Sequence, residues 1–82
     1  MDDLVRKVLA VAGAERATSV TRIRVRLGAL SHFTPEHFRE HWGDAARGTL
    51  AEGADVDAVM DDELTGGAAQ GVVLEAVEVS GP

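Results

Sequence analysis

Residues 20–29 alternate apolar and basic side chains, and this alternation constrains the fold more than any other feature of the chain. The apolar positions are Ile23, Val25 and Leu27, and the basic positions are Arg22, Arg24 and Arg26. Because successive side chains of a strand point to opposite faces of its sheet, one face of this segment is apolar and the other is basic. The pattern predicts a β-strand that ends at Ala29, covers a hydrophobic core on one side and meets water on the other.

Two segments on either side of this strand have apolar side chains at helical spacing. Residues 3–14 carry one such stripe, and Gly13 is a suitable place for that helix to end. Thr34 and Pro35 mark the start of the second helix, because a threonine oxygen caps free N–H groups and proline fits the first turn. Gly48 is predicted to end this helix. Its predicted buried stripe consists of Phe38, Trp42 and Ala45.

Two further strands complete the predicted order αβαββ. Residues 54–61 place Val56, Ala58 and Met60 on one face and Asp55, Asp57 and Asp61 on the other, and residues 72–79 form the last strand. Residues 64–71 are predicted to be a flexible loop. Two helices with one apolar stripe each cover only one face of a sheet. The sequence therefore predicts an α/β fold of the two-layer α+β kind: a three-stranded mixed sheet with two helices on one face, in a single domain spanning residues 1–82.

The uncovered face of this sheet carries the row of three arginines beside the row of aspartates. Opposite charges on neighbouring strands stabilise a sheet modestly, so ion pairing explains Arg22, Arg24 and Arg26 without any further role. The alternative is that the arginines bind an anion or a protein partner. We retain the three as candidate partner-binding residues.

Composition excludes several classes of function. The chain has no cysteine, so disulfides and thiolate metal sites are both absent, and no zinc is expected. Its net charge of −6 disfavours nucleic acid as a partner, because that binding depends on neutralising phosphates. The acidic start Met1-Asp2-Asp3 does not resemble a secretory signal, and the apolar runs are too short to cross a bilayer. The sequence predicts a cytoplasmic protein with no membrane partner.

The three histidines of the chain are the candidate metal ligands. His37 and His41 lie four residues apart on the second predicted helix, so both imidazoles can face one ion, and His32 is the candidate third ligand. Nickel, zinc and copper all accept imidazole, but two helical histidines form an incomplete site, and surface histidines without a metal are the simpler interpretation. Residues 37–41 also spell the H-x-x-E-H pattern of one class of zinc peptidases. That chemistry needs a third ligand and a larger scaffold, so the sequence predicts a protein that is not an enzyme.

Four segments carry a resemblance to a known family. They are residues 26–31 (Arg-Leu-Gly-Ala-Leu-Ser), Pro35-Glu36, residues 47–54 (Arg-Gly-Thr-Leu-Ala-Glu-Gly-Ala) and residues 74–79 (Leu-Glu-Ala-Val-Glu-Val). Together they resemble the HypA family, accessory proteins that help to load nickel into [NiFe]-hydrogenase and, in some bacteria, urease. The resemblance implies the nickel-binding domain of that family, which has two helices on a three-stranded sheet. It is strongest in residues 47–54.

The chain departs from the family pattern at both of the family's metal sites. Family members begin Met-His-Glu, with a nickel-binding histidine, whereas this chain begins Met1-Asp2-Asp3. They also insert a zinc domain with Cys-x-x-Cys pairs between the last two strands, where residues 61–71 contain no cysteine. The resemblance therefore implies a nickel-enzyme accessory protein with a degenerate or truncated metal site, weak nickel binding at most, and a GTPase accessory protein or the hydrogenase large subunit as partner. The alternative is a metal-free interaction module that keeps the family's docking surface.

Overall fold

The sheet is built around the alternating strand, which occupies its centre. The computed structural model describes residues 1–81, without the side chain of Ala68. Its elements are α1 (Asp2–Ala14), β1 (Ser19–Gly28), α2 (Pro35–Ala46), β2 (Asp55–Asp61), a short 3-10 helix (Gly66–Gln70) and β3 (Val72–Ser80). The strand order is β2-β1-β3, with β2 parallel to β1 and β3 antiparallel to it. The predicted two-layer fold with a three-stranded mixed sheet is confirmed.

Both helices lie on the apolar face of this sheet. The core is formed by the apolar positions of β1 together with Val8 and Ala12 of α1 and Phe38 and Trp42 of α2. The arginines of β1 are exposed on the opposite face. The alternation in β1 therefore separates the core from water, as the period of two requires.

Two irregularities interrupt the pairing of β1 with β3. In β1, Thr21 is an extra residue, because the residues on either side of it pair with adjacent residues of β3. In β3, Glu75 is an extra residue in the same sense. Because Thr21 is an extra residue, Val20 and Ile23 are both buried although they are three positions apart. Such bulges re-aim the side chains that follow them.

The first helix ends one residue beyond Gly13, which was predicted to terminate it. Gly13 is helical, and Arg16 instead adopts the left-handed conformation, with φ of 55°. The N–H of Ala17 donates to the carbonyl of Ala12 (2.9 Å), and that of Arg16 donates to Gly13 (3.1 Å). These two bonds define a Schellman motif, which satisfies the last carbonyls of the helix. Arginine occupies the position at which glycine is usual.

The second helix begins where the sequence predicted. The hydroxyl of Thr34 accepts a hydrogen bond from the N–H of His37 (3.1 Å), and Pro35 is the first helical residue. The helix ends at Ala46, two residues before Gly48, which has φ of 79°. Ala46 completes the buried stripe, and the predicted Ala45 is only half-buried.

Three other sequence predictions need correction. Ala29 lies in an exposed turn after β1. Met60 is exposed near the end of the edge strand β2, although Ala58 on the same face of that strand is buried. Residues 66–70 form a 3-10 helix where a flexible loop was predicted. The N–H of Leu30 donates to Ala69 (2.8 Å) and that of Gly28 to Gly71 (3.0 Å), so backbone bonds tie this segment to the end of β1.

Across residues 1–81, none of the helices combines the length and the apolar character that crossing a membrane requires.

Candidate functional site

The helix α2 brings two of the three histidines together. His37 and His41 are both exposed, and the centroids of their rings lie 4.8 Å apart. The four-residue spacing places them one turn apart on one side of the helix. Phe33, which precedes the helix, packs edge-on against both rings, with centroid distances of 6.2 and 5.9 Å. The pair therefore has an apolar backing on one side and open water on the other.

The third histidine does not join this pair in a three-ligand group. His32 is exposed and holds a left-handed backbone with φ of 64°, before the cap that starts α2. Within residues 1–81, no three His, Asp or Glu side chains are grouped closely enough to hold one ion. The described chain thus offers two imidazoles, and an ion bound there would take its remaining ligands from water or from another molecule.

The arginine row lies between two rows of carboxylates, because β1 is the central strand. Arg24 donates through Nε to Asp57 of β2 (3.1 Å). Arg26 donates through Nε to Glu75 of β3 (2.9 Å), and its Nη1 lies 3.5 Å from Asp61. Each arginine side chain remains 47% exposed, so these are surface ion pairs of small individual stability.

The sequence pattern identified only half of these acidic partners. It placed the aspartates of β2 beside the arginines, but the glutamates of β3 also pair with them: Arg22 Nη1 lies 3.8 Å from Glu78. The available signal was the position of Glu75 and Glu78 within the last predicted strand. These positions predict pairing with the arginines only when the strand order is known, because that order places β3 directly beside β1.

A groove of about 590 Å³ between α2 and residues 51–57 was not predicted from the sequence. Arg39, Trp42 and Gly43 line it from the helix, while Arg22 and Asp55 line it from the sheet. Arg39 Nε donates to the carbonyl of Val56 (3.2 Å). The indole Nε1 of Trp42 is buried and has no hydrogen-bond partner in the described chain. The only sequence signal was that Arg39 and Trp42 are three residues apart and so share a side of the helix.

Comparison of the whole chain with known proteins finds relatives in one family. The hydrogenase maturation factor HypA of Methylocella silvestris is 38% identical over 78 residues, covering 88% of this chain and 69% of the relative. The hydrogenase maturation factor HypA of Archaeoglobus fulgidus is 39% identical over 58 residues, and the match covers 71% of this chain and 53% of the relative. No family model matches the chain.

A solved structure shows the same fold. The solution structure of the Ni metallochaperone HypA from Helicobacter pylori aligns with a TM-score of 0.72, covering 99% of this chain and 97% of that chain. The two sequences are only 13% identical, so this likeness concerns the arrangement of helices and strands alone.

Proposed function

The chain belongs to the HypA family of hydrogenase maturation factors, and on that premise we propose that it is an accessory protein for the maturation of nickel enzymes, with [NiFe]-hydrogenase as the target. The observation that carries this proposal is the 38% identity with a hydrogenase maturation factor across 69% of that relative's length. The role is that of a chaperone, not of an enzyme. We propose that it acts in the cytoplasm.

The metal proposal rests on the paired imidazoles of α2. We propose that His37 and His41 bind nickel weakly, and that His32 contributes only if the turn before the helix rearranges. Two neutral imidazoles supply fewer donors than the nitrogen-rich square-planar sets that nickel prefers. The chain has no cysteine, so we expect no zinc.

This proposal predicts weak, pH-dependent nickel binding. In calorimetric titration, Ni²⁺ should bind the chain weakly, and the binding should fade under acid conditions because a protonated imidazole cannot coordinate a metal. Replacing both ligands, His37→Ala with His41→Ala, should abolish it, whereas His32→Ala should change it little. Tight binding that survives the double substitution would show that the ligands are elsewhere.

The partner proposal rests on the arginine face of the sheet. We propose that Arg22, Arg24 and Arg26 contribute to docking a GTPase accessory protein or the hydrogenase large subunit. A charge exchange tests this role without losing the internal ion pair: Arg24→Asp combined with Asp57→Arg keeps opposite charges adjacent but reverses their positions. Unchanged partner affinity in this double variant would remove Arg24 from the docking surface.

A metal-free interaction module is the second candidate function. The observation that favours it is that residues 1–81 contain no group of three potential metal ligands. One experiment distinguishes the two candidate functions. The chain is expressed in a bacterium whose own HypA has been deleted, and hydrogenase activity is measured. Restored activity that depends on His37 and His41 supports metal delivery, and restored activity that survives their replacement supports the module. Failure to restore activity under conditions where the chain is folded and abundant would contradict both.

A further inference from the structure

The paired imidazoles of α2 lie at the separation that one shared metal ion requires. An ion about 2.0–2.1 Å from an imidazole nitrogen lies about 3.2 Å from the centroid of that ring. Two rings that share the ion then have centroids about 4.5 Å apart when their nitrogens form a right angle at the ion, and about 5.2 Å apart at the tetrahedral angle. The centroids of His37 and His41 are 4.8 Å apart, between these two values.

Phe33 supports both rings from the side of the core. It packs edge-on against His37 and His41, with centroid distances of 6.2 and 5.9 Å, and in the same way against the buried Phe38 at 5.8 Å. Both histidines are exposed, and across residues 1–81 no carboxylate forms an ion pair with either imidazole. The pair is therefore held in place from the inside and is accessible to an ion from the outside.

One chain provides only half of a closed metal site. Within residues 1–81, no third His, Asp or Glu side chain joins the pair. Ions that accept imidazole usually take four ligands or more. A second copy of this chain offers an identical pair, and a two-fold axis through the ion would bring all four imidazoles to it. A shared ion thus completes the set of nitrogen ligands that the single chain lacks.

The charge of the chain makes this association depend on the metal. Each copy has a net charge of −6, so two copies repel each other. Glu36 and Glu40, which precede the two histidines on α2, are exposed and form no ion pair in the described part of the chain. A divalent cation between two copies offsets part of this repulsion.

These observations extend the nickel role proposed above for His37 and His41, and the inference rests on that role. We propose that one Ni²⁺ bridges two copies of the chain through four imidazoles, two from each copy. The bridged dimer forms when the ion is bound and separates when the ion is removed.

The stoichiometry of binding and the mass of the protein together test this bridge. Nickel chloride is titrated calorimetrically into the chain at a protein concentration above the dissociation constant, and the same mixtures are measured by sedimentation velocity. The proposal expects a binding midpoint at half an ion per chain, where the weight-average mass approaches twice that of the metal-free chain. EDTA should return the mass to that of the monomer, and so should a large excess of nickel, because each chain then takes its own ion.

The three histidines provide matched variants. His37→Ala and His41→Ala each leave one imidazole of the pair and should lose the dimer, whereas His32→Ala changes an exposed histidine outside the pair and should keep it. Circular dichroism melts confirm that the variants fold.

The possible outcomes separate the bridge from the nickel site on which it rests. A chain that stays monomeric while it binds one ion through His37 and His41 overturns the bridge but leaves the proposed nickel ligands intact. Absence of nickel binding in the parent chain contradicts both proposals. A dimer that forms equally without metal, or that either substitution in the pair leaves unchanged, also overturns the bridge.

Discussion

Trp42 offers the most direct test of the packing described above. It is 2% exposed and stands one turn from Phe38, which is fully buried, in a chain with only three aromatic side chains among Phe, Trp and Tyr. Removing a buried large aromatic side chain costs about 3–5 kcal/mol of the free energy of unfolding. A domain of this size has about 4–12 kcal/mol in total, at roughly 0.05–0.15 kcal/mol per residue. We therefore expect Trp42→Ala to lose at least about a quarter of this stability, and all of it if the parent lies at the low end of the range.

The assay is urea unfolding followed by far-UV circular dichroism, because the substitution removes the fluorescent residue. With an m-value of about 1 kcal/mol/M, a loss of about 3–5 kcal/mol lowers the midpoint by about 3–5 M. A midpoint within about 0.5 M of the parent would refute the argument that α2 packs through this residue.

The conservative substitution Trp42→Phe separates packing from hydrogen bonding. Phenylalanine keeps an aromatic ring in the core but has no N–H, and an unsatisfied buried donor costs about 1–3 kcal/mol. Its removal offsets part of the lost burial, so the net destabilisation should be about 1 kcal/mol or less. A loss as large as that of Trp42→Ala would mean that the indole N–H is satisfied in solution.

Two further experiments test the helix end and the open face. Arg16→Gly should raise the free energy of unfolding by about 0.5–1 kcal/mol. Glycine relieves a left-handed strain of about 1–2 kcal/mol, and the greater freedom of its unfolded chain offsets about 0.4–1 kcal/mol of that gain. A lower melting temperature would contradict this cause. A double-mutant cycle of Arg24→Gln and Asp57→Asn should give a coupling of about 0.2–1 kcal/mol that shrinks in high salt, as for other exposed pairs. A coupling independent of salt would indicate a more enclosed pair.

The fold followed from sequence patterns wherever one physical cause dominates. The alternation of Ile23 and Val25 with arginines has no satisfactory solution except a strand with one buried face. The start of α2 was equally clear, since Thr34 and Pro35 supply a cap and a preset first turn. The end of α1 was misplaced because Gly13 is a favourable terminator, while the actual left-handed residue is an arginine that no propensity favours.

The candidate site was less predictable because its parts come from separate elements. The spacing of His37 and His41 was enough to predict their proximity, since helical periodicity is local. The glutamate partners of the arginines required the strand order, and the groove required the packing of α2 against residues 51–57. Neither follows from local spacing. The unpaired N–H of Trp42 is likewise invisible in sequence, because it depends on which atoms surround the buried ring.

The helix α2 carries the proposed nickel ligands on one flank and borders the groove on the other, and its geometry predicts that changes on the two flanks act independently. At about 3.6 residues per turn, His37 and His41 lie on one flank of the buried stripe, and Arg39 and Gly43 lie on the opposite flank. The core side chains Phe38 and Trp42 separate the two flanks.

Gly43→Leu should therefore leave nickel affinity unchanged, whereas the double variant His37→Ala/His41→Ala should abolish nickel binding. Calorimetric titration of nickel into the parent chain and into both variants measures the two effects directly. A nickel affinity that changes in Gly43→Leu would show that a change on the opposite flank reaches the histidines, or that α2 shifts as one body.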